Sequence, residues 1–274
     1  MKDIHFNEVT TYPKISQWFI SLEGEGENIG EPSLYLRIAG CYSAACSFCD
    51  TKFSWGEAPN NKNIKDLHFL EEINNAIFSR KINRLTITGG EPLHYVSNFS
   101  DMVHTIQKYT DVHLTSVGFE SNGNMLSNKH IVVELLKQFN EIRKKSGCLP
   151  SITISPKLNS DSCYENQIPQ QDINEMYEKV FDNLSKYLIP AYTVNFKFVY
   201  GIDEEHDSLV IQNISHLLDI GIKPKNIFLM PFTPENPLTE DKDIWEKSKK
   251  ATAQMALKIG IRYSPRIHVD NELD

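Results

Sequence analysis

Six short apolar segments rich in β-branched residues alternate along this chain with segments of helical periodicity. The apolar runs predict buried strands at residues 34–39, 85–88, 114–119, 152–154, 193–200 and 227–230. The spacing of apolar residues predicts helices at residues 64–78, 99–109, 131–142, 173–188, 209–218 and 244–259. Strands that alternate with helices pair in parallel through right-handed crossovers. The sequence therefore predicts an α/β fold, with residues 1–274 in a single barrel-like domain.

A polar loop follows each predicted strand. In chain order these loops read GCYSAACSFCDT, GGEP, ESNGN, SPK, Gly201 with acidic residues, and PFTPENP. Glycine, proline and asparagine also make ordinary turns, so any single loop has a structural explanation. Parallel sheets and barrels build their active sites at the carboxyl ends of the strands. Six polar loops at one rim therefore predict that the chemistry lies there.

Charge and hydropathy narrow the range of partners. A formal net charge of -8 provides no overall positive field for nucleic acid or anionic lipid. No run of eighteen apolar residues occurs, and the first residues lack the basic-then-apolar layout of a signal peptide. We therefore expect a small-molecule substrate, no nucleic-acid or membrane partner, and a cytoplasmic location.

Three of the five cysteines, Cys41, Cys46 and Cys49, lie within nine residues of one another. Thiolates this close bind zinc or an iron-sulfur cluster rather than a hard cation. Structural zinc usually takes four ligands, and no histidine lies within eighteen residues of this group on either side. The cluster loop (residues 41–49) therefore favours an iron-sulfur cluster with one open iron, and zinc stays the alternative. Cys148 and Cys163 have no ligand-type neighbours and are predicted to be structural or incidental.

The cluster loop, with SFCDT and the GGE after the second strand, resembles the radical S-adenosylmethionine (SAM) superfamily, although its C-x4-C-x2-C spacing has one residue more than usual. Further motifs resemble the 7-carboxy-7-deazaguanine synthase family along nearly the whole chain: SLEGEGENIGEPSLYLRIAGC, CDTKFSW, TITGGEPL, ESNG, SPK, KFVY, LMPF and SPRIH. The resemblance implies a partial (β/α)6 TIM-like barrel of the radical SAM type. It also implies that a C-terminal tail, residues 261–274, closes over the substrate site.

The same resemblance implies the reaction. It is the ring contraction of 6-carboxy-5,6,7,8-tetrahydropterin to 7-carboxy-7-deazaguanine with release of ammonia, in 7-deazapurine (queuosine-type) biosynthesis. The implied cofactors are a 4Fe-4S cluster, S-adenosyl-L-methionine and Mg²⁺, and the implied partners are an electron donor such as flavodoxin or ferredoxin and a second subunit in a homodimer. Two alternatives stay open: a glycyl-radical enzyme activase, and a non-catalytic zinc-binding protein.

Three charged residues are suited to a carboxylated pterin. Glu23 and Glu25 can accept hydrogen bonds from its amino-pyrimidine edge, although the family commonly has glutamine at Glu23. Arg37 alternates with apolar residues in the first strand, and an arginine inside a barrel needs an anionic partner such as the substrate carboxylate.

The resemblance adds further site residues. For the substrate they are Leu22, Gly24, Thr88, His268 and Asp274. For SAM they are Phe48, Gly90, Glu91, Ser121, Asn122, Ser155, Lys157 and Met230. Thr51 matches the protein ligand of Mg²⁺, with Asp50 as an alternative ligand, and Arg266 is structural or faces the substrate.

Overall fold

The computed structural model describes residues 12–41, 46–56, 60–77, 80–110, 112–159 and 169–273. The strands are β1 (Lys14–Leu22), β2 (Pro32–Ile38), β3 (Lys62–Asn63), β4 (Arg84–Gly89), β5 (Ser116–Ser121), β6 (Leu149–Ile154), β7 (Thr193–Tyr200), β8 (Ile227–Pro231) and β9 (Arg262–Tyr263). The helices are α1 (Leu67–Ile77), α2 (Phe99–Tyr109), α3 (Lys129–Ser146), α4 (Gln170–Tyr187), α5 (Glu204–Asp219), α6 (Lys242–Ile259) and α7 (Ile267–Asp270).

The strands form a sheet in the order β3-β1-β2-β4-β5-β6-β7-β8-β9. From β2 to β9 each neighbouring pair is parallel, and helices α1 to α6 connect the successive parallel strands. The two ends of the sheet are not paired with each other, so the barrel is open. The predicted partial (β/α)6 barrel is confirmed, and the predicted bounds of β7 and α2 agree with the structure to the residue.

The core lies between the sheet and its outer helices. Phe119 of β5 stacks on Phe99 of α2 at 4.0 Å between ring centroids, and on Phe139 of α3 at 5.6 Å. Strand β8 is buried along its whole length because a parallel strand is covered on both faces. No helix in the described ranges is both long and apolar enough to cross a bilayer.

The sequence did not predict β1, which pairs antiparallel with β2. Leu22 lies opposite Pro32, the first residue of β2, so the turn between them is at the amino ends of the parallel strands. We call residues 23–31 the amino-end loop. This loop contains the Gly-Glu-Gly motif and reaches the site from the side opposite to the polar rim. The expectation that one rim carries all the chemistry therefore covers only part of the site.

Candidate active site

A cavity of about 1000 Å³ lies where the polar rim, the amino-end loop and the tail meet. Every predicted site residue that the structure describes lines it: Cys41, Cys46, Cys49, Thr51, Phe48, Gly90, Glu91, Ser121, Asn122, Ser155, Lys157, Met230, Leu22, Glu23, Gly24, Glu25, Arg37, Thr88 and His268. Asp274 and residues 42–45 of the cluster loop lie outside the described residues. The chain therefore brings together residues that the sequence separates by as much as 246 positions.

The cluster cysteines occupy one wall of this cavity. The backbone N–H of Thr51 donates to the sulfur of Cys49 at 3.4 Å, and the amide of Cys49 donates to the carbonyl of Cys46 at 3.1 Å. Cysteine thiolates are the ligands that hold iron-sulfur clusters in proteins, so these three side chains fit such a cluster.

Glu91 joins two loops of the polar rim. One oxygen of its fully buried carboxylate accepts the hydroxyl of Ser121 at 2.7 Å and the N–H of Leu93 at 2.9 Å; the other accepts the N–H of Asn122 at 2.9 Å. Burial raises the pKa of Glu91, although these hydrogen bonds act in the opposite direction. The carboxylate therefore fixes the loop after β5 against the loop after β4.

Gly90 is required by a close approach of two backbones. Its amide donates to the carbonyl of Ile38 at 2.7 Å, and a Cβ at Gly90 would lie 2.5 Å from the carbonyl carbon of Gly40.

Lys157 also lines the cavity, and its ammonium lies 3.5 Å from the hydroxyl of Ser155 and 5.8 Å from the centre of the Phe48 ring. Lys157 and Phe48 therefore place a cation within cation-π distance of an aromatic ring.

Glu25 is the centre of a buried ion-pair network. Its two oxygens lie 2.5 Å from the ammonium of Lys197 and 2.7 Å from Nε of Arg266. Burial acts to raise the pKa of Glu25, but the charges of Lys197 and Arg266 outweigh it and hold that pKa well below its usual range. Glu25 is therefore an ionised acceptor at neutral pH.

Lys197 and Glu120 are site residues for which the sequence prediction gave no role. The ammonium of Lys197 lies 3.1 Å from Glu120, whose other oxygen accepts the hydroxyl of Thr88 at 3.0 Å. Burial acts to lower the pKa of Lys197, but the two carboxylates outweigh it and raise that pKa above its usual value. A lysine inside the apolar run TVNFKFVY is the signal that could have identified it, because a buried lysine needs anionic partners.

Arg266 ties the tail to three other segments. Besides Glu25, its guanidinium binds Asp50 at 2.7 Å and the hydroxyl of Thr233 at 2.7 Å. Burial acts to raise the pKa of Asp50, but Arg266 lowers it below its usual value. Asp50, the alternative Mg²⁺ ligand, is thus already paired. The amide of Ile267 donates to the carbonyl of Gly24 at 3.1 Å, which brings the His268 ring directly over that glycine.

Arg37 and Glu23 contrast with each other. The guanidinium of Arg37 lies 5.2 Å from the centre of the Phe19 ring, and its buried Nε has no hydrogen-bond partner within the described part of the chain. Glu23 is 5% exposed and already binds Arg84 at 3.0 Å and the hydroxyl of Thr86. An unmade buried hydrogen bond is costly, so Nε of Arg37 is open to a further hydrogen-bond partner, whereas Glu23 is already paired.

This chain is similar in sequence to known proteins. The 4Fe-4S single cluster domain family matches residues 22–142. Among relatives called 7-carboxy-7-deazaguanine synthase, the Hyperthermus butylicus protein is 26% identical over 95% of this chain and 93% of its own length. The Pyrobaculum aerophilum protein is 24% identical over 93% of each chain.

Two solved structures share the fold. QueE from Escherichia coli superposes with a TM-score of 0.53 at 18% identity, over 96% of this chain and 97% of its own. Native anSMEcpe with bound AdoMet superposes with a TM-score of 0.50 at 13% identity, over 82% of this chain and 60% of its own. The resemblance predicted from the motifs is confirmed: over nearly its whole length this chain is similar to proteins called 7-carboxy-7-deazaguanine synthase.

Proposed function

We propose that this chain catalyses the radical SAM ring contraction of 6-carboxy-5,6,7,8-tetrahydropterin to 7-carboxy-7-deazaguanine, a carbon-nitrogen lyase reaction that releases ammonia. The observation that carries the proposal is one cavity lined by every described residue to which the synthase motifs assign a role. Relatives that carry the synthase name cover nearly the whole chain, which supports the same conclusion. The reaction belongs to 7-deazapurine (queuosine-type) biosynthesis.

The cofactor contacts follow from the walls of the cavity. Cys41, Cys46 and Cys49 would hold the 4Fe-4S cluster, which when bound supplies the single electron that cleaves SAM. The backbone N–H of Thr51 would stabilise negative charge on the Cys49 thiolate. The SAM site would comprise Phe48, Gly90, Glu91, Ser121, Asn122, Ser155, Lys157 and Met230. A structural neighbour with AdoMet bound supports a SAM site in this fold.

The substrate contacts follow from the buried charges. Glu25 would accept from the N–H groups of the amino-pyrimidine edge, since its low pKa keeps it ionised. Arg37 would bind the substrate carboxylate with the planar fork of its guanidinium. Thr88 and His268 would flank the ring. Leu22, Glu23, Gly24 and Asp274 complete the proposed substrate site.

The tail would exclude water from the reaction. Arg266 holds the tail against Glu25 and Asp50. Helix α7 also contacts α6, because Asp270 accepts the indole N–H of Trp245 at 2.9 Å and binds Lys249 at 3.1 Å. Exclusion of water protects a reactive radical from side reactions. The substrate would therefore enter before the tail is fully seated.

Mg²⁺ binding belongs to the proposal as well. The Thr51 hydroxyl lines the cavity beside Cys49, and Mg²⁺ favours oxygen ligands while tolerating few from the protein. Because Asp50 is paired with Arg266, Thr51 is the better protein ligand of the two. We also propose a cytoplasmic homodimer that receives electrons from a flavodoxin or ferredoxin, without a nucleic-acid or membrane partner.

The test is an anaerobic incubation of the reconstituted protein with 6-carboxy-5,6,7,8-tetrahydropterin, SAM, Mg²⁺ and a reductant. We expect 7-carboxy-7-deazaguanine to accumulate while the SAM concentration stays constant. Release of 5'-deoxyadenosine in proportion to SAM, without a deazaguanine product, would contradict the proposal and favour the activase. A protein that contains zinc and takes up no iron would favour the non-catalytic alternative.

A further inference from the structure

Arg84 lies beneath the substrate cavity rather than in it. It is the first residue of β4, is 5% exposed, and is absent from the lining of the main cavity. It lines a separate cavity of about 20 Å³, which has room for about one water molecule and for no pterin. Arg84 therefore cannot touch the substrate, and its buried charge needs another explanation.

The position of Arg84 is built into the barrel floor. Its guanidinium donates to the hydroxyl of Ser116 at 3.3 Å and crosses the face of Gly118 in β5. A Cβ at Gly118 would lie 3.4 Å from the central carbon of the guanidinium and still closer to one of its nitrogens. The glycine thus leaves the space that the arginine occupies.

The partner of Arg84 is Glu23, the first residue of the amino-end loop. Nε of Arg84 donates to Glu23 at 3.0 Å, and both side chains are about 6 to 7% exposed. The amide of Glu23 donates to the carbonyl of Glu31 at 2.8 Å, and its own carbonyl accepts the amide of Gly30 at 2.8 Å. Glu23 therefore holds the loop closed through its backbone and anchors it to the barrel through its side chain.

Glu25 stands only two residues from this anchor. Gly24 between them lies under the His268 ring, and its carbonyl binds the amide of Ile267 in the tail. A shift of Glu23 must therefore move both Glu25 and the contact with the tail. Without Arg84, the Glu23 carboxylate would be buried without its countercharge and would be driven toward water.

We propose that Arg84 is a positioning residue, which fixes the amino-end loop through Glu23 and so places Glu25 in the substrate cavity. The identity of the ligand that Glu25 meets rests on the proposed function, whereas the fixing of the loop does not. Glutamate at position 23 and arginine at position 84 act as one unit in this chain. A neutral glutamine at position 23 would need no such cation.

The test compares Arg84→Met, Glu23→Gln and the double variant by two measurements. The first is hydrogen exchange of the Glu23 and Gly30 amides, which reports the loop alone. The second is binding of 6-carboxypterin, the fluorescent oxidised analogue of the proposed substrate, with SAM binding measured in parallel. Arg143→Met is the matched control, because Arg143 is exposed and packs near the Tyr192 ring away from the cavity.

We expect Arg84→Met to accelerate exchange of both amides and to raise the dissociation constant for 6-carboxypterin on the order of ten- to a hundredfold, the effect of losing one charge-assisted hydrogen bond to Glu25. SAM binding and the control should stay at wild-type values. Adding Glu23→Gln to Arg84→Met should restore protection of both amides, because the double variant buries no unpaired charge at this anchor. A purely structural role would instead lower the melting temperature in both variants without this rescue.

Unchanged exchange in Arg84→Met, or a double variant no better than the single one, would overturn the proposal. If Arg84→Met does not fold, Arg84→Lys replaces it in both measurements. Its amide exchange rates and its dissociation constant for 6-carboxypterin should then lie between the wild-type values and those expected for Arg84→Met. If the wild-type protein binds no pterin, the proposed function fails, and exchange alone then decides whether Arg84 fixes the loop.

Discussion

The cavity has a proposed cofactor side around Glu91 and a proposed substrate side around Glu25, and the two sides are built in different ways. On the cofactor side, Glu91 binds Ser121 and Asn122, which are 30 and 31 residues away, through neutral donors of the next loop along the sheet. On the substrate side, Glu25 binds Lys197 and Arg266, which are 172 and 241 residues away, through opposite charges. The first arrangement follows from neighbouring parallel strands, whereas the second exists only after the whole chain has closed.

The two sides should therefore respond differently to mutation. Removing one partner of a buried ion pair leaves an uncompensated charge and costs roughly 3 to 5 kcal/mol. Removing one neutral donor costs about 1 to 3 kcal/mol. Variants matched for size across the two sides measure this difference.

The largest effect is expected at the cluster. Cys46→Ala should lose or grossly deplete iron and sulfide and form no product, because no replacement thiol lies in the described cluster loop. Cys148→Ala is the matched control: Cys148 is fully buried, donates to the carbonyl of Leu114 at 3.3 Å, and has a pKa that burial raises to about 11. A full complement of iron in Cys46→Ala would remove this cysteine from the cluster.

Lys197→Met tests the charged side against the neutral one. We expect it to lower the free energy of unfolding by roughly 3 to 5 kcal/mol, because Glu25 and Glu120 lose their shared cation. Ser121→Ala, which removes the hydroxyl donor to Glu91, should cost about 1 to 3 kcal/mol. Denaturant unfolding of both variants measures the comparison. If both variants lost the same free energy of unfolding, the charged and neutral contacts would contribute equally and the comparison would fail.

Arg37→Lys separates the two ligands. A lysine ammonium cannot reproduce the guanidinium fork, and loss of one charge-assisted hydrogen bond should weaken substrate binding by roughly 1.5 to 3 kcal/mol. SAM affinity should not change, since Arg37 packs against Phe19 on the substrate side. Titration with each ligand under anaerobic conditions provides the measurement. Unchanged substrate affinity would exclude Arg37 from the site.

Thr51 lies at the boundary of the two sides, and a smaller effect is expected there. Wild-type turnover should rise several-fold with added Mg²⁺. Thr51→Val keeps the shape but deletes the oxygen ligand, so it should abolish that response while the iron content stays at the wild-type level. Rates measured over a Mg²⁺ titration test this. A valine variant that is still fully stimulated would show that Thr51 is not the ligand.

The smallest effect is a difference in pH dependence. The pKa of Glu25 is lowered in the folded state, so its stabilisation is present above the ordinary glutamate pKa of about 4.3 and is lost as pH falls through the folded value. The pKa of Glu91 is raised, so its contribution is greatest below the ordinary value and is lost as pH rises through the folded one. The cost of Glu25→Gln should therefore shrink on acidification, whereas that of Glu91→Gln should grow. The measurement is the unfolding midpoint of each variant relative to wild type, taken at several pH values between neutral and acid. If the two differences change in the same direction with pH, this prediction is wrong.

Much of this protein follows from its sequence alone. Apolar runs of three to eight residues that alternate with helices are typical of buried parallel strands, so the six units and the polar rim were predictable. The three cysteines of the proposed cluster were also predictable, because they lie within nine residues of one another in the sequence. The Glu91 loop was likewise placed by its position directly after a strand.

Only the tertiary structure decided how the substrate side is assembled. Strand β1 was missed because KISQWFISL mixes polar and apolar residues without a clear period, and its antiparallel pairing turns the amino-end loop under the barrel. The sequence offered no sign that Glu23 pairs with Arg84, which lies 61 residues further along the chain. A sequence shows which residues carry charge, but the partner of a buried charge is set by which distant segments the closed chain brings within about 3 to 4 Å, where opposite charges in a low dielectric interact strongly.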